Sequence, residues 1–141
     1  MRKLSDTVFV SPQFSLDDLT DIQAEGVKLI INNRLDYESP GQPTSQEVEE
    51  AVKMLGMDYV HIPMSGGALS LQMIDAMRDV LKTAKGLALA YCLSGTRSAI
   101  LWMFATANED NIDALLAATD AAGYSLGHMK PMLKQYVEGK R

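Results

Sequence analysis

Three short apolar runs, separated by segments of helical character, are the feature that most constrains this fold. The runs are VKLII at 27–31, YVHIP at 59–63 and LALAY at 87–91. Runs of this length and apolarity are typical of strands that are covered on both faces of a sheet. Helices between successive strands predict βαβ units, with parallel strands and right-handed crossovers.

The segments between and after these runs carry signals for where helices begin. Thr44 and Glu47 form a capping-box pattern, and Ser15 and Ser70 are favourable N-cap residues. The sequence predicts strands over 8–10, 27–31, 59–63 and 87–91, and helices over 15–26, 44–55, 70–84, 98–107, 111–122 and 126–137, with Pro131 a candidate kink. We therefore predict a single α/β domain over the whole chain. Its central, mostly parallel sheet has about four strands flanked by helices, and its C-terminal third is helical.

Composition excludes several classes of protein. The 141 residues are 47% hydrophobic with a net charge of −5, which is too apolar for a disordered chain. No apolar run approaches the roughly 20 residues of a membrane helix, and the N-terminus lacks a signal-peptide core. A pI near 4.9 argues against non-specific nucleic-acid binding. We expect a cytoplasmic protein that binds neither membranes nor nucleic acids.

Metal and disulfide chemistry are also disfavoured. Cys92 is the single cysteine, so neither an intrachain disulfide nor a zinc site with two thiolates can form. The two histidines, His61 and His128, lie far apart in the sequence and show no metal-ligand spacing. We expect no metal and no cofactor.

The stretch from Cys92 to Ser98 carries the chemistry, because it joins an apolar strand to an apolar helix. A tight loop there directs backbone N–H groups into one concavity at the positive end of the helix. Gly95 allows close approach of a ligand, and the planar fork of Arg97 suits a tetrahedral oxyanion. Such a cradle should hold Cys92 as a thiolate near neutral pH, with Ser98 close enough in sequence to donate its hydroxyl to the sulfur.

Two interpretations of this stretch compete. A lone cysteine at a strand end is often inert core packing, and Ser-Gly-Thr is an ordinary turn sequence. The combined pattern of cysteine, glycine, arginine and serine favours a nucleophile in an anion hole. The candidate catalytic residues are Cys92, Arg97 and Ser98, and the anion-binding loop comprises Leu93, Ser94, Gly95 and Thr96.

Three further residues are candidates for supporting roles. Arg34 and Asp36 lie in the 32–43 loop, which should reach the same sheet edge as the Cys92 loop. Arg34 could add positive charge to the anion pocket, and Asp36 could serve as an acid. The alternative is a solvated loop in which Arg34 pairs with a carboxylate such as Glu38. His61 is either a structural histidine of its strand or a proton-transfer group.

The pattern Cys-x-x-Gly-x-Arg-Ser after a strand resembles the active loop of cysteine-based phosphatases and of rhodanese-type sulfurtransferases. From about Val8 to Ala107 the chain resembles the bacterial family of beta-lactamase-hydrolase-like, phosphatase-like domains. The matching stretches are 14–19, 30–34, 59–63 and 91–98. The resemblance implies a fold like that of dual-specificity phosphatases, with Cys92 as the nucleophile and Arg97 as the anion clamp.

Two features keep a sulfurtransferase open as the alternative to a phosphatase. Four residues separate Cys92 from Arg97, one fewer than in the phosphatase signature and as in rhodanese-like loops. The loop at 64–69 lacks the carboxylate with which phosphatases protonate the leaving group. The sulfurtransferase alternative implies a persulfide on Cys92 and a persulfide-oxidising enzyme as partner, to which some relatives are fused. A third alternative is a non-catalytic module that senses an anion or redox state.

Overall fold

The computed structural model describes residues 1–140 and contains one five-stranded sheet. Its strands are β1 (Arg2–Lys3), β2 (Val8–Ser11), β3 (Val27–Asn32), β4 (Asp58–His61) and β5 (Leu87–Tyr91). They lie in the order β1–β2–β5–β3–β4. All neighbouring strands are parallel except β1, which pairs antiparallel with β2. The predicted α/β fold with a mostly parallel sheet is therefore confirmed.

Six helices cover the two faces of the sheet. They are α1 (Leu19–Ala24), α2 (Ser45–Met54), α3 (Leu71–Thr83), α4 (Thr96–Thr106), α5 (Ile112–Ala121) and α6 (Lys130–Gly139), with 3-10 turns over Leu16–Asp18 and Gly127–Met129 before α1 and α6. The predicted caps form: Thr44 and Glu47 make a full capping box, and the Ser70 hydroxyl accepts from Met73 N–H. Among residues 1–140, no helix has both the length and the apolar character needed to cross a membrane.

Alternating residues of the strands divide the core in two. On β5, Ala88 and Ala90 face the larger cluster, which contains the buried residues of α3 to α6, while Leu89 and Tyr91 face a smaller one with α1 and α2. Helix α4 is buried almost all round, because it packs beneath the C-terminal helices. This helix begins directly after the loop that follows β5.

Several predicted boundaries differ from the structure. Strand β1 was not predicted, because two exposed basic residues carry no strand signal, and it raises the strand count from about four to five. Strand β4 runs over 58–61 rather than 59–63. Pro131 does not kink a helix; it lies in the first turn of α6, where the missing N–H costs no hydrogen bond. Helix α4 begins at Thr96, two residues earlier than predicted, which places Arg97 in its first turn.

Candidate active site

Residues 92–97, which we call the active loop, connect the carboxyl end of β5 to the first turn of α4. Cys92 lies at the base of this loop with only 1% of its surface exposed. The backbone N–H of Gly95 points back and donates to Cys92 Sγ at 3.0 Å. Gly95 is the N-cap of α4 with φ of 99°, a left-handed conformation that favours glycine. The active loop therefore turns back toward the sulfur at Gly95.

Other contacts fix the remaining residues of the active loop. The Leu93 carbonyl accepts from Gln13 N–H at 3.1 Å, while Leu93 itself is 54% exposed. The Ser94 hydroxyl donates to Thr96 Oγ1 at 3.0 Å. One contact thus holds the loop by its backbone, and the other joins two of its side chains.

Tyr124, which follows α5, supports the active loop from the C-terminal third of the chain. Its buried hydroxyl donates to the Ser94 carbonyl at 3.0 Å. A Cβ atom added to Gly95 would lie 2.0 Å from Tyr124 Oη, so the loop and the ring are in close contact. Burial raises the pKa of Tyr124, and the nearby Cys92 charge raises it further, while Arg2 lowers it. No motif in the sequence indicated this residue.

Arg97 lies between the sulfur and a carboxylate. Its two terminal nitrogens donate to the Glu38 oxygens at 2.6 and 2.8 Å, and Nη1 also donates to the Met64 carbonyl at 2.7 Å. The hydrogen bonds to Glu38 are the main reason that the pKa of Arg97 is raised, and the charge of Cys92 contributes in the same direction. The guanidinium is thus close enough to Cys92 to interact with it, and a carboxylate orients it.

Glu38 bridges two arginines. Besides Arg97, its Oε1 accepts from Arg34 Nε at 2.8 Å, and its Oε2 accepts from Leu35 N–H at 3.1 Å. These donors, Arg97 first, lower the pKa of Glu38 to about 2 although burial opposes them. Glu38 is therefore ionised at neutral pH. The sequence indicated a local pair between Arg34 and a carboxylate, but not that Glu38 also reaches Arg97.

Arg34 is a buried support of the site rather than a member of a solvated loop. Its surface is only 1% exposed, and its other nitrogens donate to Gln13 Oε1 at 2.7 Å and to Ser39 Oγ at 2.9 Å. With Glu38 included, each guanidinium nitrogen has a partner, which a buried cation requires. Arg34 therefore reaches the active loop through Glu38 and Gln13.

Ser98 is buried one residue beyond Arg97, but it does not donate to the sulfur. Its hydroxyl donates to Asn33 Oδ1 at 2.7 Å, and the Asn33 amide nitrogen donates to the Ile62 carbonyl at 3.0 Å. A serine hydroxyl has a single proton, and here that proton is donated to Asn33. The prediction that Ser98 donates to Cys92 is therefore wrong. Ser98 instead ties α4 to the ends of β3 and β4.

Asp36 and His61 are engaged in structural contacts. Asp36 Oδ1 accepts from the backbone N–H of Ser45 at 2.7 Å, at the start of α2. His61 Nε2 lies 2.6 Å from the Arg34 carbonyl, and because a carbonyl only accepts, the ring donates. Neither contact brings the side chain to the active loop. Between residues 1 and 140, no group of three His, Cys, Asp or Glu side chains could hold a metal ion.

A cavity of about 480 Å³ opens beside the active loop. Leu93 borders it from the loop, Phe14 from the segment before α1, and Pro40 and Pro43 from the loop after β3. The one charged side chain in its lining is Arg34, which already forms a salt bridge with Glu38. This cavity suits an uncharged, partly apolar group next to the anion-binding loop.

Comparison with known proteins places the chain in a family. Residues 1–109 match the family described as beta-lactamase hydrolase-like protein, phosphatase-like domain. A beta-lactamase hydrolase-like protein of Agrobacterium fabrum is 33% identical over 110 residues, which cover 78% of this chain and 26% of that protein. This chain thus spans about a quarter to a third of the length of the curated relatives it matches.

Solved structures show the same architecture. One from Neisseria meningitidis, provisionally described as a phosphatase, superposes with a TM-score of 0.84 at 29% identity and covers 96% of both chains. Kinase-associated phosphatase, solved with serine in place of its catalytic-site cysteine, superposes with a TM-score of 0.72. It is 14% identical and covers 94% of this chain and 85% of its own, so that likeness concerns the fold alone.

Proposed function

The chain belongs to the family of phosphatase-like domains of beta-lactamase hydrolase-like proteins, and from that premise we propose that it is a cysteine-dependent phosphatase acting through Cys92. Its fold is phosphatase-like and related to protein tyrosine and dual-specificity phosphatases. The observation that carries the proposal is the Gly95 N–H on Cys92 Sγ, with the Arg97 guanidinium beside that sulfur.

In the proposed reaction, the Cys92 thiolate attacks the phosphorus of a phosphate monoester. The sulfur–phosphorus bond forms as the ester oxygen leaves with the electron pair of the broken bond. Arg97 and the N–H groups of the active loop hold the phosphoryl oxygens, where charge develops. Water then attacks the phosphocysteine, releasing inorganic phosphate and restoring the thiolate.

Ser98 has a positioning role in this proposal. Its proton is directed to Asn33, so it stabilises the joint between α4 and the strand ends rather than supplying a proton to sulfur. If Ser98 instead assisted hydrolysis of the phosphocysteine, Ser98→Ala would accumulate that intermediate. If Ser98 only positions the loop, Ser98→Ala should lower the rates of phosphocysteine formation and hydrolysis together, because the active loop is held less firmly.

Neither Glu38 nor Asp36 is available to protonate the leaving group, and this limits the substrates that we expect. Glu38 is the carboxylate that contacts Arg97, and with a pKa of about 2 it is ionised at neutral pH. Asp36 is occupied at the start of α2. General-acid assistance is typically worth about 10²–10⁴-fold, so we expect preference for esters whose leaving oxygen is stable as an anion. Aryl phosphates meet this requirement.

The test is hydrolysis of p-nitrophenyl phosphate by the purified chain. Cys92→Ser should abolish turnover, because a serine hydroxyl in the same place is a far weaker nucleophile, while phosphate binding should persist. Arg97→Lys keeps the charge but loses the two-pronged fork, and we expect a loss of about 10²-fold in kcat/KM. Equal activity in wild type and Cys92→Ser would contradict the proposal.

Sulfur transfer is the second candidate, favoured by the absence of an available acid and by the short spacing from Cys92 to Arg97. Here the thiolate attacks the outer sulfur of thiosulfate, sulfite leaves, and Cys92 carries a persulfide. An acceptor thiolate then attacks the outer sulfur and displaces the Cys92 thiolate. A persulfide-oxidising enzyme is the proposed partner for this activity.

One pair of assays separates the candidates. Cyanide-dependent consumption of thiosulfate, or a mass gain of one sulfur atom on Cys92, supports sulfur transfer. Release of p-nitrophenol supports the phosphatase. Phosphate binding with neither activity would indicate a module that senses an anion. Reversible oxidation of Cys92 with neither activity would indicate a module that senses redox state.

A further inference from the structure

A second cavity lies at the opposite edge of the sheet from the active loop. Its volume is about 580 Å³, and Val8 and Ala88 line it at the starts of β2 and β5. The active loop follows the other end of β5, so the length of that strand separates the two sites. We call this space the distal cavity and define it by Val8, Arg78, Leu81, Lys82, Ala88 and Trp102.

The lining of the distal cavity combines apolar surface with positive charge. Leu81, Ala88 and Trp102 supply apolar walls, and Arg78 and Lys82 supply two cations. These two residues are four apart on α3 and so lie next to each other on one helix face. No carboxylate lines the cavity, although the whole chain carries a net charge of −5.

The two cations differ in how far they are already paired. Arg78 donates to Asp75 at 2.8 Å, to the Ala105 carbonyl at 3.3 Å and to the Tyr136 hydroxyl. Its bond to the Ala105 carbonyl also offsets the negative end of α4. Lys82, by contrast, forms no salt bridge with any other residue between 1 and 140. Its ammonium group is free to meet an anion.

Trp102 provides a second, independent observation. The residue is 4% exposed, yet its indole N–H donates to no acceptor in the part of the chain that the structure describes. No fully buried side-chain nitrogen or oxygen in that part lacks a partner. This N–H must therefore be reached from open space, and the distal cavity is the space that Trp102 lines. A hydrogen-bond acceptor in the cavity would satisfy it.

We propose that the distal cavity binds a small organic carboxylate with an apolar aliphatic or aromatic body. The carboxylate would accept from the Trp102 N–H and be attracted by Lys82 and Arg78, while the body would pack on Leu81 and Ala88. The volume lies within the roughly 300–1,000 Å³ of small-molecule sites. An apolar enclosure with a few convergent donors is the usual construction of such a site. The site does not depend on the proposed chemistry at Cys92.

The test uses Trp102, because it is the single tryptophan and its emission reports directly on the distal cavity. Sodium octanoate is titrated into the full chain while emission is followed, with calorimetry as a second readout. We expect a saturable response and weaker binding of 1-octanol, which has the same chain but no charge. Cys92→Ser should bind octanoate with unchanged affinity.

Matched charge reversals locate the carboxylate. Lys82→Glu should weaken octanoate binding by at least about fivefold, since it removes an attractive charge and adds a repulsive one. Lys53→Glu makes the same change in net charge on an exposed lysine of α2, which packs on the other face of the sheet, and we expect little effect. Absence of binding by both readouts, equal binding of octanol, or equal weakening by both variants would overturn the proposal.

Discussion

Replacing Glu38 by glutamine is expected to destabilise the chain most at neutral pH and least in acid. The substitution keeps the shape of the side chain but removes the charge that pairs Arg97 and Arg34. Arg34 is 1% exposed, so it would be left as a buried cation without an ionised partner. Removing one partner of a buried pair is costly because the remaining charge stays desolvated.

The magnitude follows from the pKa of Glu38. It is lowered from 4.5 to about 2 in the folded chain, which corresponds to at most about 3 kcal/mol of stability at neutral pH. Since 20% of the Glu38 side chain is exposed, solvent screening reduces this, and we expect about 1–2 kcal/mol. A lowered carboxyl pKa stabilises the fold above pH 4.5, and that contribution is lost as the pH falls toward 2.

The assay is urea unfolding of wild type and Glu38→Gln at pH 7, 4 and 2.5. The difference between their free energies of unfolding should be largest at pH 7. It should shrink below pH 4.5, because Glu38 of the unfolded wild-type chain takes up a proton there while folded Glu38 stays ionised until about pH 2. Glu25→Gln is the matched control, because Glu25 is exposed and its side chain pairs with no residue between 1 and 140. A difference that does not change with pH, or an equal loss in the control, would refute the reasoning.

Two further substitutions probe the support of the active loop. Gly95→Ala should cost about 1–2 kcal/mol of stability from its left-handed backbone alone, and more because the new Cβ would lie 2.0 Å from Tyr124 Oη. Thermal melts should show this loss of stability, whereas Gly66→Ala, with open space around it, should melt like wild type. Tyr124→Phe leaves the Ser94 carbonyl without its donor, so it should cost about 1 kcal/mol of stability and lower kcat for p-nitrophenyl phosphate. Tyr37→Phe changes a residue that is 83% exposed and should alter neither quantity. Equal effects in both variants of either pair would contradict the proposal that Gly95 and Tyr124 support the active loop.

Local patterns in the sequence were sufficient to predict the strand and helices that surround the site. The apolar run LALAY coincides with β5, and the caps at Thr44 and Ser70 start α2 and α3 as predicted. The cysteine, glycine and arginine of the active loop are brought together because a strand end and a helix start meet there. In each case neighbouring residues determine the geometry.

The contacts of the site that the sequence did not predict join residues far apart in the chain. Glu38 and Arg97 are 59 residues apart, and the Ser94 carbonyl reaches Tyr124 across 30. Neither pairing leaves a local spacing or periodicity. The hydroxyl of Ser98 illustrates the same limit, because sequence proximity suggested Cys92 while the fold brings Asn33 within 2.7 Å.

The most direct measurement is the mass of the Cys92 peptide after the chain is mixed with p-nitrophenyl phosphate and denatured during turnover. Nucleophilic attack by this sulfur predicts one added phosphoryl group on that peptide, absent in Cys92→Ser. Turnover that continues while the Cys92 peptide stays unmodified, at a rate the serine variant shares, would contradict it.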